Sequence, residues 1–253
     1  MLPRTPSYRL DGKRAVVIGG SRGIGLGCAV ALAEQGASVV IVARSKGQVF
    51  ETVNEMKSEG FSVSGASMDV RIIDNVKNLM GEYSDIDILV NSAGIARHTP
   101  TVDTTELDFD DVMSVNVRSA FFLAQSAAKQ MISKGTGGSI IQISSQMAHV
   151  GGIDRAVYCG TKHAIEGINK SMAIEFGPHK IRVNSICPTF IRTPFTEPTF
   201  KDPEKVKWIE SKIKVGRVGE VEDIMGAVKF LASDVSAMVT GSSILIDGGW
   251  TAG

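Results

Sequence analysis

Cysteine is scarce in this chain, charge of one sign is nowhere in excess, and no apolar run is long enough to cross a bilayer. Of 253 residues only Cys28, Cys159 and Cys187 are cysteine. An odd number without C-x-x-C spacing argues against a disulfide framework and for small buried packing residues, although Cys159, next to Tyr158, could react with alkylating agents. The four histidines, His98, His149, His163 and His179, are scattered with no pair at ligand spacing, so no metal is expected. Lys plus Arg and Asp plus Glu stand at 27 each, and no block of five like charges occurs. Neither nucleic acid nor an anionic membrane is therefore an expected partner. Residues 1–8 contain no apolar signal region, and no stretch approaches the roughly 20 residues of a membrane span. The expectation is a soluble cytoplasmic protein. Its length suits one α/β domain over residues 1–253, without repeats or low-complexity segments.

What is present begins with an alternation of short apolar runs and longer helical patterns from Arg14 to about Gly177. This predicts a doubly wound parallel sheet, Rossmann-like, of about seven strands with helices on both faces. Candidate strands are 15–18, 38–43, 62–67, 86–90, 139–143, 181–186 and 242–246. The first runs into Gly19, Gly23 and Gly25, after which Ile24, Cys28, Ala31 and Leu32 recur at helical spacing. Strand, glycine turn and helix start in that order form a cradle for a phosphate, because glycine permits positive φ and the helix start presents free N–H groups.

Tyr158 and Lys162 lie four apart and share a helix face, which would set an ammonium beside a phenol. Moving a phenol from a pKa of about 10 to about 7 takes roughly 4 kcal/mol. One cation at about 4 Å supplies about that much at an effective dielectric of about 20. Ser145 lies a short loop upstream. Ser144 would point the other way from a continuing strand, so Ser145 is the expected partner.

Together these residues resemble the short-chain dehydrogenase/reductase family over nearly the whole chain. Gly19/Gly23/Gly25, Asn91-Ser92-Ala93-Gly94, Asn116, Ser145 and Tyr158/Lys162 follow the family's order of motifs. Ser92 stands where a second asparagine is usual, Thr189 where glycine usually follows Pro188, and Ile18 where threonine is common. The resemblance implies a catalytic set of Asn116, Ser145, Tyr158 and Lys162. Tyr158 would be general acid or base, Ser145 would hold the carbonyl oxygen, and Lys162 would bias the phenol and bind ribose. Asn116 would hold a water, though a buried helical asparagine can equally satisfy backbone groups. Implied cofactor contacts are Gly19, Ser21, Arg22, Gly23, Ile24 and Gly25 in the loop, Asp69 and Val70 at adenine, and Asn91, Ala93, Gly94, Tyr158 and Lys162 along the ribose. Pro188, Ile191 and Thr193 would lie at the nicotinamide. Asp69 could instead cap a helix.

No Asp or Glu lies between Glu34 and Glu51, and the second strand ends in Arg44-Ser45. An acidic residue there would bond the ribose 2′-hydroxyl of NAD(H), whereas Arg44 and Ser45 suit a 2′-phosphate, so NADP(H) is expected, with NAD(H) as the alternative. Residues 189–216, with three prolines and several aromatics, read as an irregular substrate loop or lid. Expected substrate contacts are Ser145, Met147, His149, Tyr158, Phe190 and Phe195, with Ile95, Arg97, His98, Gln146 and Trp208 near the mouth. The function expected is interconversion of a secondary alcohol and a ketone. A 3-oxoacyl thioester reductase, an NAD-dependent sugar or polyol dehydrogenase, and a catalytically silent dinucleotide sensor are the alternatives. The resemblance further implies a homotetramer.

Overall fold

A computed structural model describes residues 2–253. One seven-stranded sheet runs in the order β3-β2-β1-β4-β5-β6-β7. Its strands are β1 (Arg14–Ile18), β2 (Ser38–Ala43), β3 (Val63–Ser67), β4 (Ile88–Asn91), β5 (Gly138–Ile143), β6 (Ile181–Pro188) and β7 (Ser243–Ile246). Every neighbouring pair is parallel. The helices between them are α1 (Gly23–Glu34), α2 (Lys46–Ser58), α3 (Ile73–Glu82), α4 (Glu106–Met113), α5 (Ser119–Lys134) and α6 (Ala156–Phe176). After β6 come α7 (Glu197–Phe200), α8 (Pro203–Lys212) and α9 (Glu222–Ala232).

Alternation along the strands divides the core into two layers. Ala15 and Val17 face a cluster with Cys28 and Leu32 of α1, Val53 of α2 and Val228 of α9. Val16 and Ile18 face another, with Val76 of α3, Leu123 of α5 and Met172 of α6. Since both faces are covered, β1, β2 and β4 are apolar over most of their length and read as near-continuous hydrophobic runs. β1 pairs with β2 on one side and β4 on the other, Ile18 standing opposite both Val42 and Asn91. The order reverses there, and the carboxyl ends of β1 and β4 open a crevice beside the glycine turn.

Residues 189–216 differ from the irregular loop expected. They carry α7 and α8, because two of their three prolines, Pro198 and Pro203, stand where a helix accepts them, in the first turn. Asp202 caps α8 by accepting from Glu204 N at 3.1 Å and Lys205 N at 3.3 Å. Phe190, Ile209, Ile213 and Val218 form a small core of their own, with Phe200 and Trp250 packed against it. The aromatics thus anchor this excursion to the body. Trp208 stands edge-on to Trp250, and Phe195 is exposed.

Candidate active site

The turn after β1 is built around close approach. Gly19 has φ +75°, its N–H donates to Val42 O at 2.7 Å, and a Cβ there would stand 3.0 Å from the Ser92 carbonyl. A Cβ on Gly25 would overlap the Gly19 carbonyl oxygen, so α1 can start against the strand end only with glycine at that position. The loop is tied to α2 by Thr52 Oγ1, which donates to Ser21 O at 3.1 Å. Arg22, at the N-cap of α1, gives no side-chain cap, and the first turn has no acidic residue. The N–H groups of Gly23, Ile24 and Gly25 thus open a helix whose positive end has neither cap nor counter-charge, a place suited to a phosphate.

At the end of β2, Arg44 is exposed, and its carbonyl accepts from Ser67 Oγ at 2.8 Å. Ser45 caps α2 by accepting from Gln48 N at 3.3 Å, which leaves its hydroxyl proton free to donate. Asp69 is held by Arg71 at 2.6 Å, and that pairing lowers its carboxyl below the usual range. It caps no helix, since Ile72 occupies the N-cap of α3. Val70 is buried. Asn91 spends its side chain inside the protein, donating to Gln142 Oε1 at 2.8 Å and accepting from Ala93 N at 3.2 Å. Both ends of that amide are therefore engaged within the protein.

Tyr158 and Lys162 lie in the first turns of α6, with the ammonium 5.6 Å from the centre of the phenol ring. Lys162 Nζ donates to Ile143 O at 2.9 Å, at the end of β5. Ser145 lies beside the phenol, and its Oγ accepts from Met147 N at 3.1 Å. Ser144 is turned toward Cys187 and its hydroxyl is buried without a partner. Asn116 sits in a π-helical turn over Ser114–Arg118. Its amide clamps Ile95, accepting from the N–H at 2.8 Å and donating to the carbonyl at 2.9 Å, and donates to Thr161 Oγ1 at 3.2 Å. The Asn116 side chain therefore satisfies backbone, and it locks the segment after β4 to α6. A Cβ on Gly94 would lie 3.6 Å from Asn116 Oδ1 and 3.9 Å from Lys162 Nζ.

The electrostatics differ from the single-cation argument. Burial raises Tyr158 above its ordinary value, and Ser145 followed by Arg155 pulls it back. Lys162, buried as well, is pushed down to about 8, with Cys187 and Glu166 opposing the fall. Desolvation, absent from the arithmetic of two charges, sets the direction, and the cation that lowers the phenol is Arg155, which no local sequence signal marks, rather than Lys162. Burial likewise raises all three thiols, Cys28 and Cys187 to about 12, and at Cys159 that direction opposes the thiolate that alkylation needs.

At the mouth the His98 ring stands edge-on to Tyr158, centroids 5.9 Å apart. Arg155 Nη1 lies 3.4 Å from His98 Nε2, and its guanidinium covers the Phe190 ring at 5.3 Å. Arg97 instead pairs with Asp111 at 3.0 Å and Asp108 at 3.5 Å. Met147 and Gln146 are buried. His149 is exposed and stands with Glu166 and Cys187, their donor atoms within 4.8 Å of one another. The carboxylate of this trio already accepts from the hydroxyls of Ser185 and Ser243. Beyond Pro188, Thr189 N donates to Ile246 O at 3.1 Å. Ile191 pairs with Gly219, and Thr193 bonds Thr196, setting this segment across the glycine turn.

Residues 18–251 match a family model described as enoyl-(acyl carrier protein) reductase. The L-xylulose reductase of Bos taurus is 37% identical over 244 residues, covering 96% of this chain and 98% of the relative. The 2-dehydro-3-deoxy-D-gluconate 5-dehydrogenase of Escherichia coli is 38% identical over 250 residues, covering 97% and 98%. A gluconate 5-dehydrogenase from Burkholderia cenocepacia, solved in complex with NADP and tartrate, superposes with a TM-score of 0.94 at 34% identity, covering 97% of this chain and 98% of that one.

Proposed function

The chain belongs to the short-chain dehydrogenase/reductase family, and from that premise we propose that it is an NADP-dependent oxidoreductase interconverting a secondary alcohol and a ketone of the sugar or sugar-acid type. The observation that carries this reading is the convergence of the uncapped glycine turn, Ser145, Tyr158 and Lys162 at one edge of the sheet. The cradle fits a dinucleotide: Gly19 and Gly25 leave no room for side chains, and α1 opens on free N–H groups. Arg22, Arg44 and Ser45 would take the 2′-phosphate, and Gly94, Lys162, Pro188, Ile191 and Thr193 would flank the nicotinamide half. The dinucleotide, when bound, supplies or accepts the hydride.

In the reductive direction Tyr158 gives its proton to the carbonyl oxygen as negative charge builds there. Ser145 donates a hydrogen bond to the same oxygen and fixes its place. Lys162 holds positive charge beside the phenol, so that the phenolate left behind is stabilised before a new proton arrives. Asn116, by fixing Ile95 and Thr161, acts as a positioning residue for that pair. Met147, His149, Phe190 and Phe195 belong to the substrate side of the site, and residues 189–216 form its cover. The sugar and sugar-acid substrates named for the relatives favour this reading over an acyl thioester. Tyr158→Phe is expected to abolish NADPH oxidation across a ketone panel while NADPH binding, followed by fluorescence, stays near wild type. Retention of more than a few per cent of the wild-type rate would remove Tyr158 from the chemistry.

A groove of about 770 Å³ between α4 and α6, lined by Thr105, Phe109, Met113 and Val157, is a surface a second copy would cover in a homotetramer. Light scattering on the full chain tests this. Three buried free cysteines suit the reducing cytoplasm.

A further inference from the structure

Arg155 is the last residue before α6, and its guanidinium is half-buried at the mouth of the site. The preceding Asp154 takes φ +58°, a left-handed turn that swings the chain into the helix. The cation sits over the Phe190 ring at 5.3 Å, with His98 Nε2 at 3.4 Å from Nη1. It has no carboxylate partner among the described residues, whereas Arg9, Arg71, Arg97 and Arg217 each hold one. Arg182, the other arginine whose charged form burial disfavours, is satisfied by Ser236 Oγ and Leu231 O at 2.7 Å and by Ser233 O at 3.3 Å. Arg155 has nothing comparable. Most of its five donors are unspent.

A partly desolvated cation without a partner is costly, and a planar fork of N–H groups is best matched by a carboxylate. Arg155 precedes Tyr158 by three residues at the helix start, so the two share a face. Resting on the reductase reading above, we propose that Arg155 is the anchor for a substrate carboxylate, which makes the substrate an oxo acid of the aldonate type rather than a neutral ketose. The relatives divide along this line: L-xylulose reductase is named for a neutral sugar, the two gluconate-type dehydrogenases for acids. Arg155 sets which end of the chain lies away from Tyr158. His98 and Phe190 hold the guanidinium in place.

The test compares two ketones differing only at the far end, 5-oxo-D-gluconate and L-sorbose, in which a hydroxymethyl group replaces the carboxylate. The enzyme with NADPH is assayed as wild type, Arg155→Lys and Arg155→Met. Both substrates need Tyr158, so any influence of Arg155 on the phenol cancels in the ratio of the two kcat/KM values. Wild type is expected to favour the acid by about 10- to 100-fold, the range of a charged hydrogen-bonding pair. Arg155→Met should bring the ratio toward one, and Arg155→Lys should keep part of it. Calorimetry with D-gluconate and D-glucitol on the NADPH-loaded protein reads the same preference without turnover. An unchanged ratio in Arg155→Met, or equal binding of acid and polyol to wild type, overturns the anchor. Failure of wild type to reduce any ketone, with the binding preference intact, would instead overturn the reductase reading and leave Arg155 as a carboxylate site.

Discussion

Lys162 should make the protein less stable than it would be with an apolar side chain of the same length. Its ammonium is buried and, among the described residues, bonded only to Ile143 O at 2.9 Å, and its pKa falls from 10.5 to about 8. At about 1.4 kcal/mol per unit, holding this group charged in the folded state costs about 3 kcal/mol at pH 7. Lys162→Met keeps most of the volume, removes the charge and forfeits one hydrogen bond worth about 1 kcal/mol. The variant should therefore be about 2 kcal/mol more stable in urea unfolding at pH 7 and fixed protein concentration, although inactive. The pH dependence fixes the sign. Below about 8 the lysine is charged folded and unfolded, and the full cost is present. Between about 8 and 10.5 only the unfolded chain still binds the proton, so wild type gains stability as pH rises and closes the gap. Above 10.5 both states are neutral. Subtracting variant from wild type cancels the other groups that titrate there. A variant no more stable at pH 7, or a difference that stays flat from pH 8 to 10.5, would refute the claim that Lys162 is held against desolvation.

Three further outcomes follow from the site. Arg44→Asp should move the ratio of kcat/KM for NADPH over NADH toward NADH by about 10-fold or more, since a charged hydrogen bond is lost and a repulsion gained; an unmoved ratio means that Arg44 touches no phosphate. Gly25→Ala places a Cβ on the Gly19 carbonyl. That overlap should cost about 1–3 kcal/mol in thermal unfolding or weaken NADPH binding at least 10-fold, and normal behaviour in both would show that the turn yields freely. With Cys28 and Cys187 held near 12 and Cys159 raised, a thiol-disulfide reagent at pH 8 should titrate all three thiols in denaturant and fewer than one within minutes in the native protein; rapid labelling of Cys159 would contradict its burial.

Local signals in the sequence carried most of the frame. Apolar runs located all seven strands to within a residue or two, and the glycine spacing and the tyrosine–lysine interval lie within single turns of chain. Ser145 was separable from Ser144 because strand alternation is local too. Arg155 was invisible for the opposite reason. Its neighbours His98 and Phe190 come from loops far away in the chain, and a lone arginine before a helix carries no mark. Prolines in residues 189–216 read as breakers because proline at a first helical position and proline in a loop look alike until the Asp202 cap is seen. The phenol's acidity was misjudged because charge spacing can be read from sequence and burial cannot.

The placement of carboxylates explains why the top of α6 can host this chemistry. Burial alone drives Tyr158 upward, and any acidic side chain beside it would drive it further. The turn holding Arg155, Tyr158 and Lys162 has none inside it. The nearest carboxylate on that helix, Glu166, is one turn below Lys162 and is occupied by Ser185 and Ser243, which fixes it against the β6–β7 edge of the sheet. There it partly supports the ammonium, as its upward pull on Lys162 shows, without adding to the causes that raise the phenol. Ser145 and Arg155 thus work against burial at the phenol, which still leaves it above its ordinary value, and no carboxylate adds to that rise. The stability given up at Lys162 follows from the same arrangement, since a carboxylate close enough to neutralise the lysine fully would also raise the phenol it serves.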